Sequence, residues 1–525
     1  MNKQSFIKGT MVLILAGLIV KVLGFINRII LAKMIGAEGM GLYQMAVPTL
    51  TLIISLATFG LNVAISKMVA EADARGDQKK IRSILQISLL IVTFLSIIFT
   101  SVMIAAARII SETLLTDERA FYSLIAISPI VPIVAISSVF RGYFQGKQNM
   151  NPTASSQIIE QIIRIFTVLF LAMWLLPKGV EFAAAGAMIG IVIGELGGML
   201  SLLWQFRKQK MPKVWKHRKL KEIYQKNKET FQGLMHISLP VTTSRIVGSL
   251  TFFIEPIVVA QSLAIAGITT TAATQFYGQL AGMAIPLLVF PTFFTYSLSV
   301  SLVPAVSEAQ SSKNYNLVHR RIYQSLRMAL IIGAPCSALL FIFAHPLSQL
   351  LYSDDQVGHF LRMMAPYSIL LYFQGPLQAA LQGLGYAHVA MRNTIIGAIL
   401  KTGAIFFLAS RPEIGFDGAV LSVNISIVSV TLLHFFSLSK LTGFTLKLAD
   451  FIKIGISVAL AGYSALHLTR YWTSMMPLST ALIISTVISM GIYFIMLIWM
   501  KILGKQDVKR IPWIGESLAH FFPNR

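Results

Sequence analysis

Apolar windows of about 20 residues, each long enough to cross a bilayer, recur along the whole 525-residue chain. Nothing constrains its fold more. With 55% hydrophobic and only 12% charged residues, the chain lacks the polar surface that a soluble globule of this size must present. The windows are far longer than barrel strands and do not alternate in polarity, so the spans are helices. They fall near 9–32, 42–66, 83–107, 121–144, 154–176 and 182–204, then near 233–263, 275–304, 322–345, 360–384, 393–410, 417–438, 451–470 and 478–500. The expectation is an all-α polytopic membrane protein with about 14 transmembrane helices.

The formal charge of +23 is large enough to suggest nucleic acid, but its placement argues for topology instead. In the first half, 19 Lys and Arg residues fall on the side of the N-terminus, in the loops or, for Arg141 and Lys147, around the end of the fourth span. Only Lys33, Arg108, Arg119 and Lys178 fall on the other side. The second half shows the same bias, so both termini are expected in the cytoplasm. The basic stretch from Arg207 to Lys228 reads as a cytoplasmic linker lying against anionic lipid headgroups, with no nucleic-acid partner. Met11 to Val20 resembles the apolar core of a secretory signal but runs into Lys21 without a cleavage site, so none is expected. The single Cys336 excludes an intrachain disulfide.

An internal repeat divides the chain. Leu61 and Glu71 match Leu298 and Glu308, Pro129 matches Pro366, Gln145-Gly146 match Gln382-Gly383, and Arg164 matches Lys401, all at an offset of 237. Six helices separate the copies, which implies two pseudo-symmetric six-helix lobes related by an axis along the membrane normal. The expected organisation is an N-lobe at 1–206, a linker at 207–232, a C-lobe at 233–440, and two further helices with a basic tail at 441–525.

Charges inside the spans mark a candidate pathway, because an ionisable group at bilayer depth usually faces water or a partner. The basic ones are Lys21, Arg28, Arg164, Arg245 and Lys401; the acidic ones are Glu160, Glu195 and Glu255. Glu160 and Arg164 lie four residues apart and either neutralise each other or share a substrate site. Without that pair, four cations face two anions, a balance suited to phosphate or pyrophosphate, whose oxygens match the arginine fork. Glu195 and Glu255 are candidates for a coupling proton or sodium ion. Gln145, Gln157, Gln378 and Gln382 are candidates to bind sugar hydroxyls or to bond helix to helix. Prolines 240 and 256 in the seventh span and 286 and 291 in the eighth predict kinked or broken helices. No metal-ligand cluster, phosphate loop or catalytic triad is present, so neither a metal, an organic cofactor nor covalent chemistry is expected.

The stretches Lys21-Val-Leu-Gly-Phe25, Gly36-Ala-Glu-Gly39, Ala135 to Pro152, Glu255 to Gly267 and Phe373 to Gln378 resemble the multidrug, oligosaccharidyl-lipid and polysaccharide (MOP) flippase superfamily. The resemblance is closest to its stage V sporulation protein B branch and more distant to the lipid II flippases. It implies a two-lobed flippase for a polyprenyl-pyrophosphate-linked saccharide in the cell membrane of a spore-former, making cortex peptidoglycan beside other sporulation or cell-wall proteins. It also implies a basic residue at Lys21. The flippase arginines are replaced by Asn27, with Arg28 displaced by one position, by Leu52, and near Gln279. An organic-cation antiporter and a non-transporting scaffold are the competing readings.

Overall fold

The computed structural model describes residues 6–208, 228–446 and 448–503. Most of the basic linker, the tail from 504 onward and residues 1–5 lie outside the described residues. Those that are described form helices and short turns, with no strand among them. In chain order the first helices are α1 (Phe6–Thr58), α2 (Leu61–Ala74), α3 (Gln78–Ile109), α4 (Ala120–Ile127), α5 (Ile130–Gly146), α6 (Asn151–Leu175) and α7 (Val180–Lys208). After the linker come α8 (Lys228–Ile265), α9 (Thr270–Tyr277), a π-helical segment Gly278–Ala284, α10 (Ile285–Val289), α11 (Thr292–Ser311) and α12 (Tyr315–Ile342). The chain continues as α13 (Ala344–Tyr352), α14 (Asp355–Met364), α15 (Ser368–Gly383), α16 (Ala387–Ala409), α17 (Gly415–Thr442), α18 (Leu448–Thr473) and α19 (Leu478–Trp499).

Eleven of the described helices are long and apolar enough to span a membrane. The count becomes twelve if Thr270–Val289 and Thr292–Ser311, bent by 56°, form one span. The expected fourteen is not reproduced as a number. The first two windows lie on the single stretch Leu15–Ala74, which is kinked: Gly36 leaves the helix at φ 70°, ψ −177°, so two helices meet there, and Phe59 and Gly60 both take positive φ. The window at 360–384 is cut by a short 3-10 turn, Ala365–Tyr367, into pieces too short to count. Of the expected proline breaks, the eighth span is interrupted, whereas Pro240 and Pro256 lie within one continuous helix.

Packing divides the chain into two compact units, 1–283 with 405–416, and 284–404 with 417–525. The repeat boundary expected at 207–232 and this packing boundary differ, because α8 and α9 pack on α1 in the first unit. The repeat itself is visible in helix ends and glycine contacts. Ala74 and Ser311 end helices, and Gln78 and Tyr315 begin them, at the same offset of 237. In unit 1, a Cβ on Gly146 would sit 2.7 Å from the Ser66 carbonyl oxygen and 2.8 Å from Val69 Cβ. In unit 2, one on Gly383 would sit 2.7 Å from the Val303 carbonyl oxygen and 3.0 Å from Val306 Cβ. Each contact partner is likewise displaced by 237. Glycine is required at both crossings because the backbones are too close for any side chain.

Two apolar clusters show where each unit is held. In unit 1, Leu61, Ile65, Val69, Ile84, Val139, Tyr143 and Phe144 bury the faces of α2, α3 and α5. In unit 2, Leu302, Val306, Val318, Ile322, Leu377, Leu381 and Leu438 do the same for α11, α12, α15 and α17. The helices α18 and α19 pack on each other, and α18 packs on α12. There the buried Tyr493 hydroxyl donates to the Ile331 carbonyl oxygen at 2.8 Å. Outward, α18 and α19 expose Ile452, Tyr463, Ile483, Val487, Ile495 and Trp499, the apolar skin of a lipid-facing pair.

Candidate functional site

The strongest charged constellation is built from three consecutive helices of unit 1. Helices α6 and α7 run antiparallel with glycines on one face of α7. Built Cβ atoms at Gly198, Gly194, Gly190 and Gly186 meet Glu160 Cβ, Arg164 Cβ, Val168 Cα and the Leu171 carbonyl oxygen at 3.0, 2.7, 2.5 and 2.7 Å. Small residues every fourth position let two membrane helices approach this closely. At that approach the side chains of Glu160 and Arg164 reach Glu195 on α7 and Arg141 on α5.

Arg141 Nη2 donates to Glu160 Oε2 and to Glu195 Oε1, both at 3.0 Å. Arg164 Nη2 donates to Glu160 Oε1 and lies 3.6 Å from Glu195 Oε2. Glu160 and Glu195 are 9% and 4% exposed, so neither carboxylate can rely on bulk water for its solvation. Two guanidiniums and two carboxylates therefore balance one another. The Nε atoms of both arginines are buried without a hydrogen-bond partner, which leaves donor capacity in the cluster.

Glu160 and Arg164 do pair, and they pair with more than each other. Glu195, expected as a coupling carboxylate, is the fourth member. Arg141 was read only as a charge flanking the fourth span, yet it lies inside α5 and bridges both acids. Its signal in the sequence was its place just inside the fourth apolar window, 121–144. The glycine series at 186, 190, 194 and 198 was equally visible.

The remaining candidates are distributed over α1, α5, α6, α8, α15 and α16. Lys21 is exposed on α1, Asn27 is buried with Oδ1 lacking a partner, and Arg28 is half-buried. Arg28 Nη2 donates to Gln44 Oε1 at 3.3 Å, and Gln44 Nε2 donates to the Ala281 carbonyl oxygen at 2.9 Å. Sequence reasoning missed Gln44, whose signal is a buried amide in an otherwise apolar span. Arg245 is exposed on α8, with no side-chain partner among the described residues, and Glu255 is half-buried one residue before Pro256. Gln145 and Gln157 are half-buried in unit 1; in unit 2, Lys401 is half-buried and Gln378 and Gln382 are exposed. Among the described residues no group of three or more metal-ligating side chains could hold an ion.

A second polar knot in unit 1 is centred on Arg119, in the turn between Leu114 and Ala120. Arg119 Nε and Nη2 grip Asp117 Oδ1 and Oδ2 at 3.0 and 2.9 Å, and Nη1 bonds Glu38 beside the Gly36 kink. Thr274 of α9 donates to Asp117 Oδ2 at 2.6 Å. Hydrogen bonding to Asp117 raises the Arg119 pKa above its ordinary value, opposed by desolvation and helped by Glu38, so the knot keeps its cation.

A set of bilayer-length helices with ion pairs among them is a polytopic membrane protein, and its relatives make it a transporter of the MOP superfamily. The family model described as polysaccharide biosynthesis protein matches residues 6–310, and the chain belongs to that family. A second model, MatE, matches residues 250–405. The chain is 47% identical to stage V sporulation protein B of Bacillus subtilis (strain 168), over 99% of this chain and 100% of that protein. It is 25% identical to the lipid II flippase MurJ of the same organism, over 85% of this chain and 84% of the relative. A solved structure of lipid II flippase MurJ in an inward closed conformation matches with a TM-score of 0.66 at 16% identity, covering 93% and 98% of the two chains. That likeness is one of fold.

Proposed function

We propose that this protein moves a polyprenyl-pyrophosphate-linked saccharide across the cytoplasmic membrane by alternating access, in the synthesis of spore cortex peptidoglycan. The observation that carries the reading is the 47% identity to stage V sporulation protein B along essentially the whole of both chains. The relation to a lipid II flippase supports a lipid-linked saccharide as the cargo class. Within unit 1, Arg28 is the cation best suited to the pyrophosphate: it is half-buried, and its side-chain partner among the described residues is a neutral amide. The ion-pair cluster is already balanced and serves to hold α5, α6 and α7 together. Of the three candidate carboxylates, Glu255 is the one outside that cluster, and it is the candidate for a coupling proton or sodium ion. Both termini face the cytoplasm, following the basic residues.

The test is complementation of a Bacillus subtilis strain lacking stage V sporulation protein B, with membrane levels of each variant checked. Wild type should restore cortex, and Arg28→Ala at normal levels should lose it while a lipid-linked precursor accumulates, read by mass spectrometry. Restored cortex with no change in precursor for Arg28→Ala would remove this arginine from the transport path. Failure of the wild type itself to restore cortex would move the assignment toward another cargo.

A further inference from the structure

The second helix of each repeat meets its own counterpart at equivalent positions. A Cβ on Gly41 would lie 2.0 Å from the Thr274 carbonyl oxygen, and one on Gly278 would lie 1.9 Å from the Ala37 carbonyl oxygen. Thr274 corresponds to Ala37 and Gly278 to Gly41 at the 237-residue offset, so the contact is reciprocal, as it must be where related helices cross near their own pseudo-dyad. One turn further on, the symmetry is broken by a single side chain. Gln44 corresponds to Ala281, and it donates its amide to the carbonyl oxygen of that same residue at 2.9 Å. Ala281 lies in the π-helical segment Gly278–Ala284, where the widened turn alters the backbone ladder. The other end of the Gln44 amide accepts from Arg28 at 3.3 Å.

We infer that Gln44 is a positioning residue that couples occupation of Arg28 by an anionic phosphate group to the clasp between these two helices. The inference rests on the proposed function for its ligand, and otherwise on geometry. Gln44 is 8% exposed, so both ends of its amide need partners. Its bond from Arg28 is long for a charged donor, and a phosphate offers the guanidinium two charged acceptors in the fork geometry. When Arg28 turns to phosphate, Gln44 Oε1 loses its donor inside a buried site. The amide then reorients, and the bond to Ala281 goes with it. By linkage, the closed clasp holds Arg28 back from the ligand to the same degree.

Two substitutions at Gln44 should therefore act with opposite sign. Gln44→Leu frees Arg28 and removes the clasp bond; Gln44→Glu supplies a carboxylate that captures Arg28. Binding of undecaprenyl pyrophosphate is measured on the full chain in nanodiscs, with Gln44→Met as a second apolar variant should the leucine protein fold poorly. Gln44→Leu or Gln44→Met should bind about threefold to tenfold tighter, and Gln44→Glu about tenfold weaker or worse. Both effects should vanish in an Arg28→Ala background, which itself binds weakly. A cysteine pair at Ala37 and Thr274 gives a second reading: the probe should lower cross-linking in the otherwise wild-type protein and not with Arg28→Ala. Loss of binding in all three Gln44 variants, or effects that persist without Arg28, would overturn the inference alone. Wild-type binding by Arg28→Ala would overturn both the inference and the assignment of Arg28 to the pyrophosphate.

Discussion

Helices α5, α6 and α7 of unit 1 and helices α15, α16 and α17 of unit 2 are repeat counterparts held together by different chemistry. In the first set, Arg141, Glu160, Arg164 and Glu195 form a balanced charged cluster over a glycine face. In the second, the 237-residue offset puts Gln378 at the place of Arg141, Gly397 at that of Glu160 and Lys401 at that of Arg164. Neutral amides do the joining there. Gln374 Nε2 donates to the Ile427 carbonyl oxygen at 3.1 Å and to Thr431 Oγ1 at 3.2 Å. Asn393 Nδ2 donates to the Leu433 carbonyl oxygen at 3.0 Å and to Ser437 Oγ at 2.9 Å. The shared backbone plan thus tolerates two solutions, and they differ in what happens when one member is lost. A charged cluster leaves stranded charges behind; an amide leaves a carbonyl and a hydroxyl.

The largest expected effect follows from that asymmetry. Arg141→Ala leaves two buried carboxylates with Arg164 alone, and should cost about 3 kcal/mol, the lower end for breaking a buried pair because the arginine side chains keep some exposure. Thermal unfolding of the purified protein in detergent reads it. The double variant Arg141→Ala with Glu195→Gln should recover part of the loss, since it restores the charge balance. Equal destabilisation by the single and double variants would mean that packing, not charge, holds α5 to α7.

Glycine substitutions sharpen the comparison next. A Cβ at Gly190 would meet backbone atoms of Val168 at 2.5 Å, which can only be relieved by moving a helix. A Cβ at Gly397 would meet the Val430 Cγ2 at 2.1 Å, a side-chain atom that can rotate away at some rotamer cost. Gly190→Ala should therefore destabilise by about 2 kcal/mol and Gly397→Ala by less, about 1 kcal/mol, in the same melting assay. The reverse order would show that α16 and α17 are the more rigid pair.

Asn393→Ala comes third. It removes a donor from a buried carbonyl and a hydroxyl in unit 2, and should cost about 1 to 2 kcal/mol without stranding any charge. A loss as large as that of Arg141→Ala would erase the distinction between the two sets of helices.

The span windows, the repeat and the residues Glu160 and Arg164 were legible in the sequence because each has a strong local signature. Apolar length, a constant offset and spacing of four residues all survive without knowledge of packing. The break between the first two windows was legible in the Gly36-Ala-Glu-Gly39 stretch, where the helix kinks at φ 70°. The pairing of Arg141 was less legible, because a basic residue near a predicted span end looks like a topology signal until the helix is seen to continue to Gly146. The assembly of the charged cluster depends on which faces of α5, α6 and α7 meet. That information lies in the glycine spacing of α7, which constrains helix approach, rather than in the charges themselves.

Gln378→Ala is the smallest expected effect and the one that separates structure from transport. Gln378 occupies the repeat position of Arg141, yet it is exposed and has no side-chain partner among the described residues. Its removal should change stability by no more than about 0.5 kcal/mol, as for an exposed residue outside any network. If the cluster in unit 1 is purely a helix fastener, complementation by Gln378→Ala should also be normal, because unit 2 fastens its helices through Gln374 and Asn393 instead. Normal melting combined with lost cortex would give a different result: the same repeat position would serve packing in one unit and the cargo in the other. Repeat symmetry in this fold would then preserve a place in the architecture without preserving what the side chain does there.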